Sequence, residues 1–503
     1  MEVPLPGCWF QRHYRCWVLF SVCLGSMAMG LPYFSYGALL PYLSSLFYYK
    51  TGQVTSSAAM SLQPVMLELG ITLTGSLSGY LEQYINVRLL NLVLVLLYVT
   101  LVAVSYFIDS YFYLTVSMFF VGALSGQINV CNVARLAEWS PRKSGTSNGV
   151  MGFFMGISGF VGSVLCTAII NPSNQQPVEV TDGNNTEMLF LDETLVQHTQ
   201  YIWPVWAVII AGLYIPGLFI LRTPKSEEMM SSRIEDKEEE DEEEEEEDVS
   251  PLILPNKIVD YGTKGVNTVI SPEMDTSSDI EYAESDSTLD SSDYTSVETL
   301  QSKTAKTSPS STRVRPNYSM KETLKQPKFY VLSIAILTLS LTLLTATEMY
   351  KIIAFEAIKD DRFLNMTGAL GSFFNALGML SWGMILDRIG TRYTFTISFV
   401  VMGPLTVSLH YSKWCRYGYL TNLCVVLFCT GIFTCIAPAC QELFGRRNLS
   451  LKYAAVLSAQ GLGCLVFFLL QLGQKHFYGE LAFLAMMGIP AVIAGMLAFV
   501  TFI

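Results

Sequence analysis

Twelve runs of about 20 mostly apolar residues constrain this chain most. Each is long enough to carry a helix across the roughly 30 Å hydrocarbon core of a bilayer. They fall near 17–46, 57–80, 88–108, 111–133, 147–170 and 201–221, then near 329–356, 367–386, 393–411, 418–439, 451–474 and 481–503. Charged residues make up only 15% of the 503 positions, against about 25% in soluble chains. A soluble protein of this length lacks the polar residues to cover its surface. The pattern predicts an all-α membrane protein, with six helices in 1–221, six in 329–503 and the segment 222–328 between them.

The net charge of −12 is a property of that middle segment, which holds 26 of the 43 acids and 13 of the 31 bases. Eleven consecutive acids run from Glu238 to Asp248, and Ser/Thr/Asp-rich sequence follows. Low hydrophobicity with blocks of like charge predicts a disordered insert. Inside it, Asp248-Val-Ser-Pro-Leu252-Ile253 fits an acidic dileucine sorting signal, in which Leu252 and Ile253 enter an apolar pocket of a clathrin adaptor. The competing reading is a solvated linker, and the same acids suit both. Plasma membrane and endosomal or lysosomal membrane therefore both stay open.

Lys and Arg in the short loops set orientation. With the N-terminus in the cytoplasm, eleven lie on the cytoplasmic side and six opposite. Both termini are then cytoplasmic. The loop 171–200 carries no Lys or Arg and offers an Asn184-Asn185-Thr186 glycosylation sequon, as an external loop does. The apolar run from about Cys16 to Phe47 far exceeds the 7–15 residues of a signal-peptide core and reads as an uncleaved first span.

Several classes lack support. The eleven cysteines show no C-x-x-C pair, and nine of them lie in or at the ends of apolar runs, where they act as small hydrophobes. No basic stretch with interleaved aromatics suggests nucleic acid. No phosphate-binding loop or catalytic constellation suggests an enzyme, and no metal or cofactor is expected.

The sequence Gly383-Met-Ile-Leu-Asp387-Arg388-Ile-Gly390-Thr-Arg392 resembles the G-x-x-x-D-R-x-G-x-R loop of the major facilitator superfamily at every defining position. Glycine permits the tight turn between two spans, while Asp387 and the arginines can bond a neighbouring helix end and latch one conformation. The first half repeats the loop in degenerate form, Gly79-Tyr-Leu-Glu82-Gln83-Tyr84-Ile-Asn86-Val-Arg88. Further stretches resemble the oxalate/formate exchanger and monocarboxylate transporter branch. They are Tyr36-Gly37-Ala-Leu-Leu-Pro41-Tyr42, Asn132-Val-Ala-Arg135 through Gly145, Tyr350-Lys351 with Asp360-Asp361, and Glu442-Leu-Phe444-Gly445-Arg446-Arg447. The resemblance implies alternating access and a cavity lined by spans one, four, seven and ten. The chain departs from the branch where its carboxylate-binding cations belong, with Met379 and Gln460 in their place.

An ionisable group inside a span is a functional-site candidate by default. Three occur here: Glu68, Glu348 and Lys351. Glu348 and Lys351, three apart, share one face of a continuous helix. Either Lys351 attracts an anion while Glu348 takes a proton, or the two neutralise each other. Glu68 has no partner on its own helix and suits a proton carrier or an inert hydrogen-bonded acid. Gln127, Asn129, Asn132, Tyr33, Tyr36 and Asn375 either line a wet path or bond helix to helix. The expected function is a secondary transporter of a small solute, a monocarboxylate moved with a proton. The alternatives are a carrier of neutral or zwitterionic solutes and a non-transporting sensor that signals through the acidic insert.

Overall fold

The computed structural model describes residues 7–81, 84–139, 143–182, 185–218, 317–473 and 479–502. In chain order the elements are α1 (Gly7–Thr51), α2 (Ser57–Met60), α3 (Leu62–Leu81), α4 (Val87–Val104), α5 (Tyr111–Trp139) and α6 (Ser144–Ile170). A hairpin of β1 (Val178–Asp182) and β2 (Asn185–Leu189) follows, then α7 (Glu193–Gln200) and α8 (Ile202–Leu218). After the insert come α9 (Met320–Thr323), α10 (Pro327–Glu348), α11 (Tyr350–Phe355) and α12 (Asp361–Ser412). The last elements are α13 (Arg416–Thr430), α14 (Ile436–Phe444), α15 (Leu449–Gly473) and α16 (Gly479–Thr501).

Ten described helical segments are long and apolar enough to cross a membrane. The 52-residue α12 supplies two crossings, because Gly390 (φ 76°, ψ 171°) turns the chain inside it. The 20-residue α3 is diluted by Gln63, Glu68 and Thr72, yet it packs along α5 and spans about 30 Å at 1.5 Å per residue. The count is therefore twelve. Large apolar side chains such as Leu73, Leu89, Val208, Met496 and Val500 are exposed on the outer faces, where lipid rather than water suits them.

The two sets of six helices meet chiefly where α6 packs on α12 and α3 on α15. Small residues set the closeness of those contacts. A Cβ on Gly383 would lie 2.3 Å from the carbonyl oxygen of Gly145. Gly383 is helical, and the motif's turn falls at Gly390, whose positive φ suits glycine. Gly37, in the first span, likewise lets α1 approach the carbonyl of Thr347.

Two segments differ from the sequence expectation. The loop 171–200 holds an antiparallel hairpin in which Glu179 faces Met188 and Val180 faces Glu187. The last residues of the segment read as an insert, 317–328, hold α9 with a capping box formed by Ser319 and Glu322, and the start of α10.

Candidate functional site

The seventh crossing breaks at Met349 (φ −99°, ψ −4°), which ends α10 and precedes α11. Lys351, just past the break, pairs with the head of the next span. The Lys351 Nζ lies 3.1 Å from Asp361 Oδ1, and both side chains are 1% exposed. Tyr42 donates to Asp361 Oδ2 at 3.3 Å, and Asn365 donates to the same oxygen at 2.9 Å. The ammonium also lies 5.4 Å from the centroid of the Tyr42 ring. Of the two readings left open for Lys351 and Glu348, the neutralising pair is not formed: Lys351 is neutralised by Asp361 instead. Asp361 heads the next span, too far along the chain for helical spacing to reveal.

Glu348 is buried, and its Oε2 has no hydrogen-bond partner. Glu68 is buried on α3 and accepts from Tyr33 of α1 and, at 3.0 Å, from Gln460 Nε2 of α15. Tyr33, Glu68 and Gln460 therefore join both sets of helices at one carboxylate, whose Oε2 is again unpartnered. The partners of Glu68 come from other helices, and the fold brings it together with Gln460. Beside them Tyr36 donates to Gln63 Oε1 at 2.5 Å.

The other polar candidates bond helix to helix or locally. Asn375 donates to the carbonyl of Leu427 and to Thr430 Oγ1, both at 2.9 Å. Gln127 bonds the carbonyl of Ala123 on its own helix at 3.3 Å. Asn129 reaches Tyr453 at 3.4 Å, and Asn132 accepts from Tyr214 at 3.1 Å. Met379 packs with Phe34 and Met155 in a small apolar cluster.

A cavity of about 200 Å³ opens between α1, α2, α10–α11 and the hairpin. Its apolar wall is formed by Leu40, Pro41, Met60 and Phe355, and its polar lining includes Glu348, Lys351, Glu179 and Glu187. The hairpin is fixed over this cavity at its base. The amide of Phe190 donates to Ser45 Oγ at 2.9 Å, and the Phe190 ring packs on Tyr42 at 5.0 Å. Asp192 caps α7 through the amides of Thr194 and Leu195. Hydrogen bonds from Thr194, Gln175 and Leu195 hold the Asp192 carboxyl down at about 2.

At the opposite end Asp387 accepts from Gly145 N (2.9 Å), Thr146 N (2.6 Å) and Thr146 Oγ1 (2.7 Å). These are orphan amides at the start of α6, where a carboxylate meets the positive end of the helix dipole. Arg392 donates to the carbonyl of Phe499 at 2.8 Å, close to the end of α16, while Arg388 is exposed. Glu442 accepts from Thr391 N and Oγ1 and so caps the crossing that follows Gly390. In the first half's degenerate copy, Asn86 caps α4 through Arg88 N at 2.9 Å. Glu82, Gln83, the sequon residue Asn184 and the sorting residues Asp248, Leu252 and Ile253 lie outside the described residues.

A twelve-crossing bundle with acids buried between its two sets of helices is the architecture of a membrane carrier. The Major Facilitator Superfamily profile matches residues 22–468, and the chain belongs to that family of membrane transporters. No curated protein sequence matches it. Among solved structures, a partially occluded inward-open conformation of the xylose transporter XylE from E. coli superposes with a TM-score of 0.60. It is 10% identical and covers 96% of this chain and 97% of that one. The proton:xylose symporter XylE bound to 6-bromo-6-deoxy-D-glucose gives 0.62 at 9% identity, covering 97% and 95%. At such identities the likeness is one of fold.

Proposed function

We propose that this transporter is a proton-coupled secondary carrier of a small organic solute, with Glu68 as the coupling acid. The observation that carries the reading is the meeting of Tyr33, Glu68 and Gln460 across the two sets of helices. A carboxyl whose partners come from both sets loses or keeps them as the sets rock past each other. Its affinity for a proton then differs between conformations, which is the requirement for coupling. Asp387 on the first amides of α6 holds one end closed.

The branch resemblance makes the solute a monocarboxylate, and the presence of Lys351 in the cavity lining favours it. Against it, Lys351 is already neutralised by Asp361, and Met379 sits in an apolar cluster. A carboxylate leaving water needs a cation that is not already paired. A solute without net negative charge fits the site better.

Glu68→Gln tests the coupling. It keeps the hydrogen-bonding shape and removes the titrating proton. Uptake into proteoliposomes should lose its response to a pH gradient, while exchange of labelled for unlabelled solute persists. A variant as gradient-driven as the wild type removes Glu68 from this role.

A further inference from the structure

We propose that the cavity beneath the hairpin binds a solute bearing an ammonium group, with Glu348 as its counter-charge and the hairpin acids as its filter. The inference rests on the carrier reading and names its substrate class. Glu348 lines the cavity, is 4% exposed, and presents an Oε2 with no hydrogen-bond partner. A buried polar atom left unpaired is costly, and a donor from a ligand relieves that cost. The one cation among the described lining residues, Lys351, is paired with Asp361.

The other titratable side chains among the described lining residues are the acids Glu348, Glu179 and Glu187. Glu179 and Glu187 come from the two paired strands of the hairpin, so the approach to the cavity is acidic from the outset. A mouth lined by one sign of charge concentrates the opposite sign and repels its own. Leu40, Pro41, Met60 and Phe355 supply apolar lining beside these acids. A small primary amine with a short apolar body satisfies both surfaces: the ammonium donates to Glu348 and the body covers the wall. A monocarboxylate meets an acidic lining in which the one described cation, Lys351, is already paired with Asp361.

The test uses the full chain in proteoliposomes with three tracers of matched size: butylamine, butyrate and alanine. Saturable uptake is measured against protein-free vesicles, which removes passive permeation. The two ammonium-bearing solutes should be carried and butyrate should not. Glu348→Gln should lower their uptake at least tenfold. Because that variant changes a buried residue, the hairpin double variant E179Q/E187Q supplies a second reading. It should raise the amine KM about fivefold through weaker steering, with little change in kcat. Carriage of butyrate alone overturns the ammonium assignment and leaves the carrier reading intact. No uptake of any tracer overturns both. Amine uptake indifferent to Glu348→Gln and to E179Q/E187Q also overturns it.

Discussion

Lys351 and Asp361 decide how this site is to be read. Removing one partner of a buried ion pair leaves an uncompensated charge, which costs about 3–5 kcal/mol, whereas replacing both is often near neutral. Lys351→Gln and Asp361→Asn should each lower the thermal unfolding midpoint of the purified protein. The double variant Lys351→Met/Asp361→Leu should recover most of the loss. If Glu348 were the true partner, Glu348→Gln rather than Asp361→Asn would rescue Lys351→Gln. The sequence showed Lys351 and Glu348 as residues requiring an explanation, because charge inside an apolar run is expensive wherever it occurs. It did not show their partners. Glu68 meets Gln460 across a sequence separation of 392, and local periodicity carries no information about contacts of that kind.

At the scale of elements, helix ends carry the conformational argument. Asp387 reaches across from α12 to the first amides of α6. Asp387 is exposed, and a carboxylate at an exposed helix N-terminus contributes about 0.3–1 kcal/mol, a shift of up to about fivefold in a two-state equilibrium. Asp387→Asn should therefore favour opening at that end. Maleimide labelling of Ser147→Cys, with the exposed Cys16 and Cys415 replaced, should accelerate in the variant. An unchanged rate would remove the latch. This contact was legible in the G-x-x-x-D-R-x-G-x-R loop, and so was the turn at a motif glycine, which falls at Gly390.

The hairpin end is tied by a second charged cluster. Lys413 Nζ lies 2.5 Å from Glu356 and 2.9 Å from Glu480, and His410 Nδ1 lies 2.7 Å from Glu480. Its hydrogen bond to Lys413 holds the Glu356 carboxyl below the usual 4.5. Burial works against the Lys413 ammonium, yet hydrogen bonds to Glu356 and Glu480 keep its pKa above the usual 10.5. A depressed acid stabilises above its unfolded pKa and loses that contribution as pH falls through its folded value. A raised lysine stabilises below 10.5 and loses its contribution as pH rises through its folded value. The stability difference between wild type and Glu356→Gln should thus persist at neutral pH and shrink as the pH drops below 4.5. A difference that stayed constant down to pH 3 would contradict the pairing.

For the whole molecule, twelve apolar runs and one motif were enough to read the fold, because a bilayer leaves helices few alternatives. The centre of the bundle was less legible. The branch resemblance pointed to a carboxylate, while the folded site spends its lysine on Asp361 and leaves Glu348 facing the cavity. The most direct measurement of the central claim is solute uptake into proteoliposomes, run with and without a pH gradient across a panel of amines, amino acids, sugars and monocarboxylates. A proton-coupled carrier should accumulate at least one solute class under the gradient, and Glu68→Gln should abolish that dependence. No flux for any of them, from protein that is folded and inserted, would contradict the account and favour a membrane sensor in its place.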